Sequence, residues 1–125
     1  MRTVLFFAVL VVSTFAVAQP TGDRVHGPDC SGSWPTNMAF VQLKNAGLAD
    51  NKSIDFSKTR TVRLASERLG KDLWRQVYLV TFTKNSGEEI EAIAIHDASD
   101  EECSMSGVEV YVVSKHLNPR VAPTS

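Results

Sequence analysis

Four segments between residues 59 and 114 constrain the fold more than any other feature, because they have the composition of strands and three of them alternate apolar and polar side chains with a period of two. They run over Thr59–Glu67, Leu73–Lys84, Glu88–His96 and Val108–Ser114. A period of two is typical of strands that bury one face. Consecutive strands joined by short links usually pair as neighbours. The sequence therefore predicts a four-stranded antiparallel meander.

One helix is predicted ahead of these strands, over residues 35–46. Ser33 is a candidate N-cap, and Pro35 is favoured in a first helical turn. Residues 38–46 supply an apolar stripe, and Gly47 is suited to the left-handed position that ends a helix. We expect an α+β domain in which one N-terminal helix packs on the four-stranded antiparallel meander.

The sequence leaves open which sheet face meets the helix, because both faces of the second strand are apolar. One face carries Trp74, Tyr78, Val80 and Phe82, and the other carries Leu73, Val77, Leu79 and Thr81.

The first 18 residues have the composition of a secretory signal peptide. Arg2 precedes an uninterrupted apolar run over 4–12, and Ala16-Val17-Ala18 supplies the small residues of a cleavage site. A spanning helix needs about 20 predominantly apolar residues, so we expect cleavage after Ala18 and no membrane anchor afterwards. The predicted address is periplasmic or extracellular.

The 125 residues have room for one domain of ordinary size. Residues 19–33 are rich in Pro, Gly and polar side chains, and we interpret them as an irregular leader. The single α+β domain is predicted over 34–117, and the Pro-containing end, 118–125, is predicted to be a disordered tail.

The chain contains two cysteines, Cys30 and Cys103. Neither belongs to a C-x-x-C pair, and no His stands beside either at a metal-ligand spacing. An exported chain can form disulfides, so we expect a Cys30–Cys103 bridge between the leader and the last loop. In the chain-entropy model, such a bridge raises the free energy of unfolding by about 4 kcal/mol.

Charge and motifs exclude several function classes. The chain has 13 Lys and Arg and 14 Asp and Glu, which gives a net charge of −1. It therefore lacks the excess of basic residues that is typical of a nucleic-acid binder. No phosphate loop or metal-ligand set is present, and we expect no cofactor. Asn51-Lys52-Ser53 matches a glycosylation acceptor, and whether it is used stays open.

The most concentrated charge lies at residues 97–102. The spacing of a calcium loop is absent, whereas Ser99 and Glu102 stand at the spacing of a capping box. This segment therefore predicts one helical turn leading to Cys103, or an acidic loop that contacts a partner.

Candidate partner-binding residues are charged or aromatic side chains in the predicted loops and turns. They are Asp97, Asp100, Glu101 and Glu102 in the acidic segment, Trp34 before the helix, and Arg68 and Lys71 near the first hairpin.

Two stretches, Trp74–Phe82 and Glu101–Ser114, look like parts of small exported bacterial proteins of uncharacterised function. That resemblance implies a periplasmic or secreted address and no particular activity. The order of helix and meander is similar to that of cystatin-like inhibitor domains, although Gln76–Val80 lacks the Q-x-V-x-G pattern of the cystatin loop.

We expect an exported, non-catalytic module that binds another extracytoplasmic protein; an inhibitor or immunity-type protein against an extracytoplasmic hydrolase is one form. One alternative is a small secreted hydrolase or metal-dependent enzyme that uses His96 with the 97–102 acids. Another is a small-ligand carrier with a cavity lined by Phe40, Leu43 and Tyr78.

Overall fold

The structure, a computed structural model, describes residues 26–114 and residue 117. It contains one helix and a four-stranded antiparallel sheet with the strand order β1-β2-β3-β4, which confirms the α+β meander. The elements are α1 (Trp34–Asn45), β1 (Ile54–Gly70), β2 (Leu73–Lys84), β3 (Glu89–Ala98) and β4 (Glu109–Val113).

The predicted signal peptide (1–18), the first part of the leader (19–25) and the predicted tail (118–125) lie outside the described residues. In the described part of the chain, no helix is long and apolar enough to cross a membrane.

The helix ends where its sequence predicts. Gly47 adopts a φ of 73°, and its N–H donates to the carbonyl of Lys44 while the N–H of Leu48 donates to the carbonyl of Leu43. These two bonds satisfy carbonyls that have no partner within the helix. A residue with a side chain would be strained at this φ, so Gly47 allows the chain to turn towards β1.

The core lies between α1 and one face of the sheet. Ala39 and Leu43 of the helix are buried against the face of β2 that carries Tyr78, Val80 and Phe82. The helix packs mainly on β3 and, to a lesser extent, on β2. On β3 the residues of this face include Ala92 and Ala94, whose small side chains let the helix approach closely.

The first strand is longer than predicted: it begins at Ile54 rather than Thr59 and ends at Gly70 rather than Glu67. Pairing with β2 starts at Ile54, but it is irregular after the Asp55–Thr83 pair. The next pair is Arg60–Thr81, so four residues of β1 lie opposite one residue of β2. The extra residues break the period of two on which the strand prediction relied. The sequence therefore did not indicate a strand before Thr59.

The predicted disulfide between Cys30 and Cys103 is formed, with a Cα–Cα distance of 5.7 Å. Cys30 is fully buried in the core. The bridge fixes the described end of the leader to the loop between β3 and β4.

Candidate functional site

The acidic segment folds as a hydrogen-bonded turn. Ser99 Oγ accepts the N–H groups of Glu101 (3.3 Å) and Glu102 (3.0 Å), as a capping side chain does. The Ser99 N–H also donates to the Glu102 carbonyl at 2.8 Å, which closes the turn without a helix. The predicted helical turn was therefore wrong, although its capping contacts are present.

Two of the acids are committed to partners within the chain. Asp97 forms a two-pronged ion pair with Arg75 on β2, with Nε–Oδ1 and Nη2–Oδ2 distances of 2.9 and 3.3 Å. The carboxylate raises the pKa of Arg75. Asp100 accepts the indole N–H of Trp74 at 3.0 Å, and its backbone N–H donates to Asp72 at 2.7 Å.

The basic candidates meet this acidic turn at the β1–β2 hairpin. The Arg68 guanidinium lies 5.5 Å from the ring centre of Trp74, a distance at which a cation is attracted to the ring. Arg68 also donates to the carbonyls of Gly70 and Lys71. The structure thus places Arg68, Lys71 and Asp100 at one end of the sheet, which we call the tip, defined by residues 68–74 and 97–102.

The other candidates divide between this tip and the start of the helix. Glu101, Glu102 and Lys71 are exposed, and Glu102 accepts a bond from Ser104 at 2.6 Å. Trp34 is half-buried, and its indole N–H donates to the Ser106 carbonyl at 3.1 Å. Trp34 therefore joins the helix to the β3–β4 loop.

His96 does not converge with the acids. Its ring lies on the helix side of β3 and is 1% exposed, with Nδ1 at 2.8 Å from the Cys103 carbonyl. Burial lowers the pKa of His96. Because side chains alternate along a strand, the Asp97 carboxylate lies on the other face, where it pairs with Arg75.

The two alternative functions, a metal-dependent enzyme and a small-ligand carrier, each require particular side chains to line one site. No group of three or more His, Cys, Asp or Glu that could hold a metal ion was found within the described residues. Leu43 and Tyr78 are buried in the core. The Tyr78 hydroxyl accepts the Cys30 N–H at 2.9 Å and donates to Gln76 at 3.0 Å. Two of the three residues proposed to line a ligand cavity, Leu43 and Tyr78, are therefore part of the core.

An apolar surface that the sequence did not single out covers the sheet face opposite α1, which we call the open face. Strand pairing aligns Val62 with Leu79, Leu79 with Ile93, and Ile93 with Tyr111. Val77 and Ile95 form a neighbouring pair. We define the open-face patch by its six apolar residues, which are Val62, Val77, Leu79, Ile93, Ile95 and Tyr111.

The patch is open to solvent at its edges and half-buried at its centre. Val62 on β1 is 55% exposed and Tyr111 on β4 is 57% exposed, whereas the four residues on β2 and β3 are half-buried. The alternation of these residues was visible in the sequence, but their exposure depends on where the helix packs.

Ion pairs border the patch at both ends. Arg60 on β1 reaches Glu89 on β3 at 3.1 Å, and the intervening Thr81 and Thr83 of β2 are buried. The Arg75–Asp97 pair lies at the opposite end, next to the tip. An apolar centre with a charged rim is the usual arrangement of a protein–protein contact surface.

Comparison with known proteins gives no relative: no protein-family model, no curated protein and no solved structure matches this chain.

Proposed function

We propose that this chain is an exported protein-binding module and that the open-face patch is its contact surface. The observation that carries this proposal is the apolar row Val62–Leu79–Ile93–Tyr111, which crosses all four strands and leaves both end residues more than half exposed. The exposed face of an antiparallel sheet is commonly polar. Contiguous apolar surface on a protein of this kind marks an interaction site.

The disulfide supports an oxidising, extracytoplasmic setting for this function. The partner is another extracytoplasmic protein that presents an apolar surface of its own. Its rim would pair with Arg60–Glu89 and Arg75–Asp97, and the exposed charges at the tip extend that rim. An inhibitor or immunity-type protein that covers an extracytoplasmic hydrolase would use such a surface.

The experiment compares capture by three immobilised proteins from extracytoplasmic extract. The first is the unmodified chain, and the second carries Val62→Glu and Tyr111→Glu within the patch. The third carries Leu48→Glu, since Leu48 is 46% exposed, follows α1 and is not one of the six residues of the patch. Each protein is first checked for cooperative urea unfolding.

The expected result is one partner that the unmodified chain and the Leu48 variant retain and that the patch variant loses. With that partner purified, calorimetry should show at least a tenfold weaker Kd for the patch variant, which is about 1.4 kcal/mol. Equal binding by all three proteins would contradict the proposal, as would loss of binding by the Leu48 control.

A further inference from the structure

A groove lies on the helix side of β1, on the face of the sheet opposite the open-face patch. The helix packs on β3 and β2, and β1 departs from β2 between Asp55 and Arg60. These two features leave a groove of about 600 Å³ between α1 and β1. Its volume lies in the range of small-molecule sites, about 300–1,000 Å³.

Aromatic side chains form the apolar part of this groove. Phe40 meets Phe56 edge to face at a ring-centre distance of 4.9 Å, and it lies 5.9 Å from Phe82 at a tilt of 53°. All three rings line the groove. Phe56 is 47% exposed although it belongs to this cluster, so a ligand could cover apolar surface that is now open to water.

Threonine hydroxyls form the polar part. Thr36 Oγ1 accepts the Gly32 N–H at 3.1 Å and lies 2.8 Å from Thr61 Oγ1. Only one of the two hydroxyls can donate in the bond between them. The proton of the other has no acceptor among the residues that the structure describes, whichever hydroxyl that is. The groove therefore presents a hydrogen-bond donor.

A third threonine is also incompletely bonded at this site. Thr59, which lines the groove, has a buried Oγ1 without a hydrogen-bond partner in the described part of the chain. A buried polar atom without a partner is costly and calls for an explanation. Thr59 belongs to the irregular stretch of β1 between Asp55 and Arg60, which has no partner residues on β2.

The lining is uncharged. Within the described ranges, 26–114 and 117, no Asp, Glu, Lys, Arg or His lines this groove. A charged ligand would lose hydration there without gaining a counter-ion. The chemistry of the lining therefore favours a neutral molecule.

From these contacts we propose that the groove binds a small uncharged aromatic molecule that carries a hydrogen-bond acceptor. The ring packs against Phe40, Phe56 and Phe82, since aromatic rings favour edge-to-face and offset contacts. The acceptor takes the free proton of the Thr36–Thr61 pair. This site is independent of protein binding on the open face, so either proposal can fail while the other stands.

The test is an NMR titration of the ¹⁵N-labelled chain with three probes. Benzamide has all the proposed properties, and each of the other two probes lacks one of them. Benzamide is neutral and aromatic and has a carbonyl acceptor. Benzoate keeps the ring but is charged, and cyclohexanecarboxamide keeps the amide without the aromatic ring. We expect saturable shifts of the Gly32, Thr36 and Thr61 amides with benzamide, and at least fivefold weaker binding of each of the other probes.

Variants assign the binding to the groove. Phe56→Ala removes a half-exposed ring and should weaken benzamide binding at least tenfold, while Thr61→Val should weaken it at least threefold. Tyr111→Ala removes a similarly exposed aromatic ring from the open face and should leave binding unchanged. The proposal is overturned if benzamide shifts no groove amide up to its solubility limit, if benzoate binds equally well, or if Phe56→Ala has no effect.

Discussion

Buried polar side chains determine how the leader meets the sheet. Gln76 is fully buried on the helix side of β2, and its Nε2 donates to the Pro28 carbonyl at 2.8 Å. Its Oε1 accepts the Tyr78 hydroxyl, which in turn accepts the Cys30 N–H. These bonds give partners to buried polar groups. Each such group would lower the free energy of unfolding by about 1–3 kcal/mol if it were buried without a partner. They place the leader in one position beside the disulfide.

The surroundings of His96 disfavour its charged form. The Cys103 carbonyl can only accept, so Nδ1 must donate to it. A second proton would go to Nε2, which is buried without a partner among the described residues. The folded protein therefore resists protonation of His96, and burial lowers the pKa from the ordinary value of 6.5.

We expect the free energy of unfolding to fall as the pH drops below about 6.5, because the unfolded chain then binds a proton that the folded chain resists. Above that value this contribution is fully present. Urea unfolding at intervals from pH 8 to pH 5 measures the effect. His96→Gln should flatten the profile, while His26→Gln, a change at an exposed residue, should retain it. A profile that is unchanged by His96→Gln would contradict this assignment.

At the scale of elements, the described part of the leader, residues 26–33, packs against β1 and β2. We call this segment the strap. Gly27 is buried with a φ of 71°. A Cβ atom added there would lie 2.7 Å from Cγ of the buried Trp74. On the other side of the strap, the His26 carbonyl accepts a bond from Ser66 of β1 at 2.5 Å. The strap therefore needs glycine at residue 27 for both backbone conformation and close approach.

Gly27→Ala should lower the free energy of unfolding by about 2–4 kcal/mol, through the left-handed conformation and the overlap with Trp74. Gly32→Ala is the matched control, because Gly32 has a φ of 70° but nothing within 4 Å of an added Cβ. The control should cost about 1 kcal/mol. Urea unfolding followed by tryptophan fluorescence measures both. Equal losses would show that the strap does not press on Trp74.

At the scale of the whole molecule, the sheet separates two surfaces. Protein binding is proposed on the open face, and ligand binding is proposed in the groove between α1 and β1. The disulfide lies on the helix side and joins the leader to the β3–β4 loop, at a sequence separation of 73. It therefore restrains almost the entire described chain.

Replacing both Cys30 and Cys103 by Ala should lower the free energy of unfolding by about 4 kcal/mol, mostly because the unfolded chain gains freedom. The unmodified protein unfolded in urea with and without reductant provides a second measurement of the same quantity. A loss below about 1 kcal/mol in both measurements would show that the bridge contributes little to folding.

The sequence by itself determined the kinds of elements, the order of the four strands, the helix end and the cysteine pairing. Each follows from a simple feature of the sequence: a period of two for the strands, a glycine suited to the left-handed conformation at residue 47, and a total of two cysteines. The acidic segment was only partly predictable. Ser99 makes its capping bonds, but the turn is closed by its N–H and the Glu102 carbonyl.

The tertiary structure alone decided which face of β2 is buried and which residues face solvent. Both faces are apolar, so local pattern could not distinguish them, whereas packing of Ala39 and Leu43 against Tyr78 and Phe82 did. The same choice exposed Val62 and Tyr111 and opened the groove beside β1. Both candidate surfaces therefore depend on long-range packing, because exposure is a property of how elements are placed and not of the residues in any one of them.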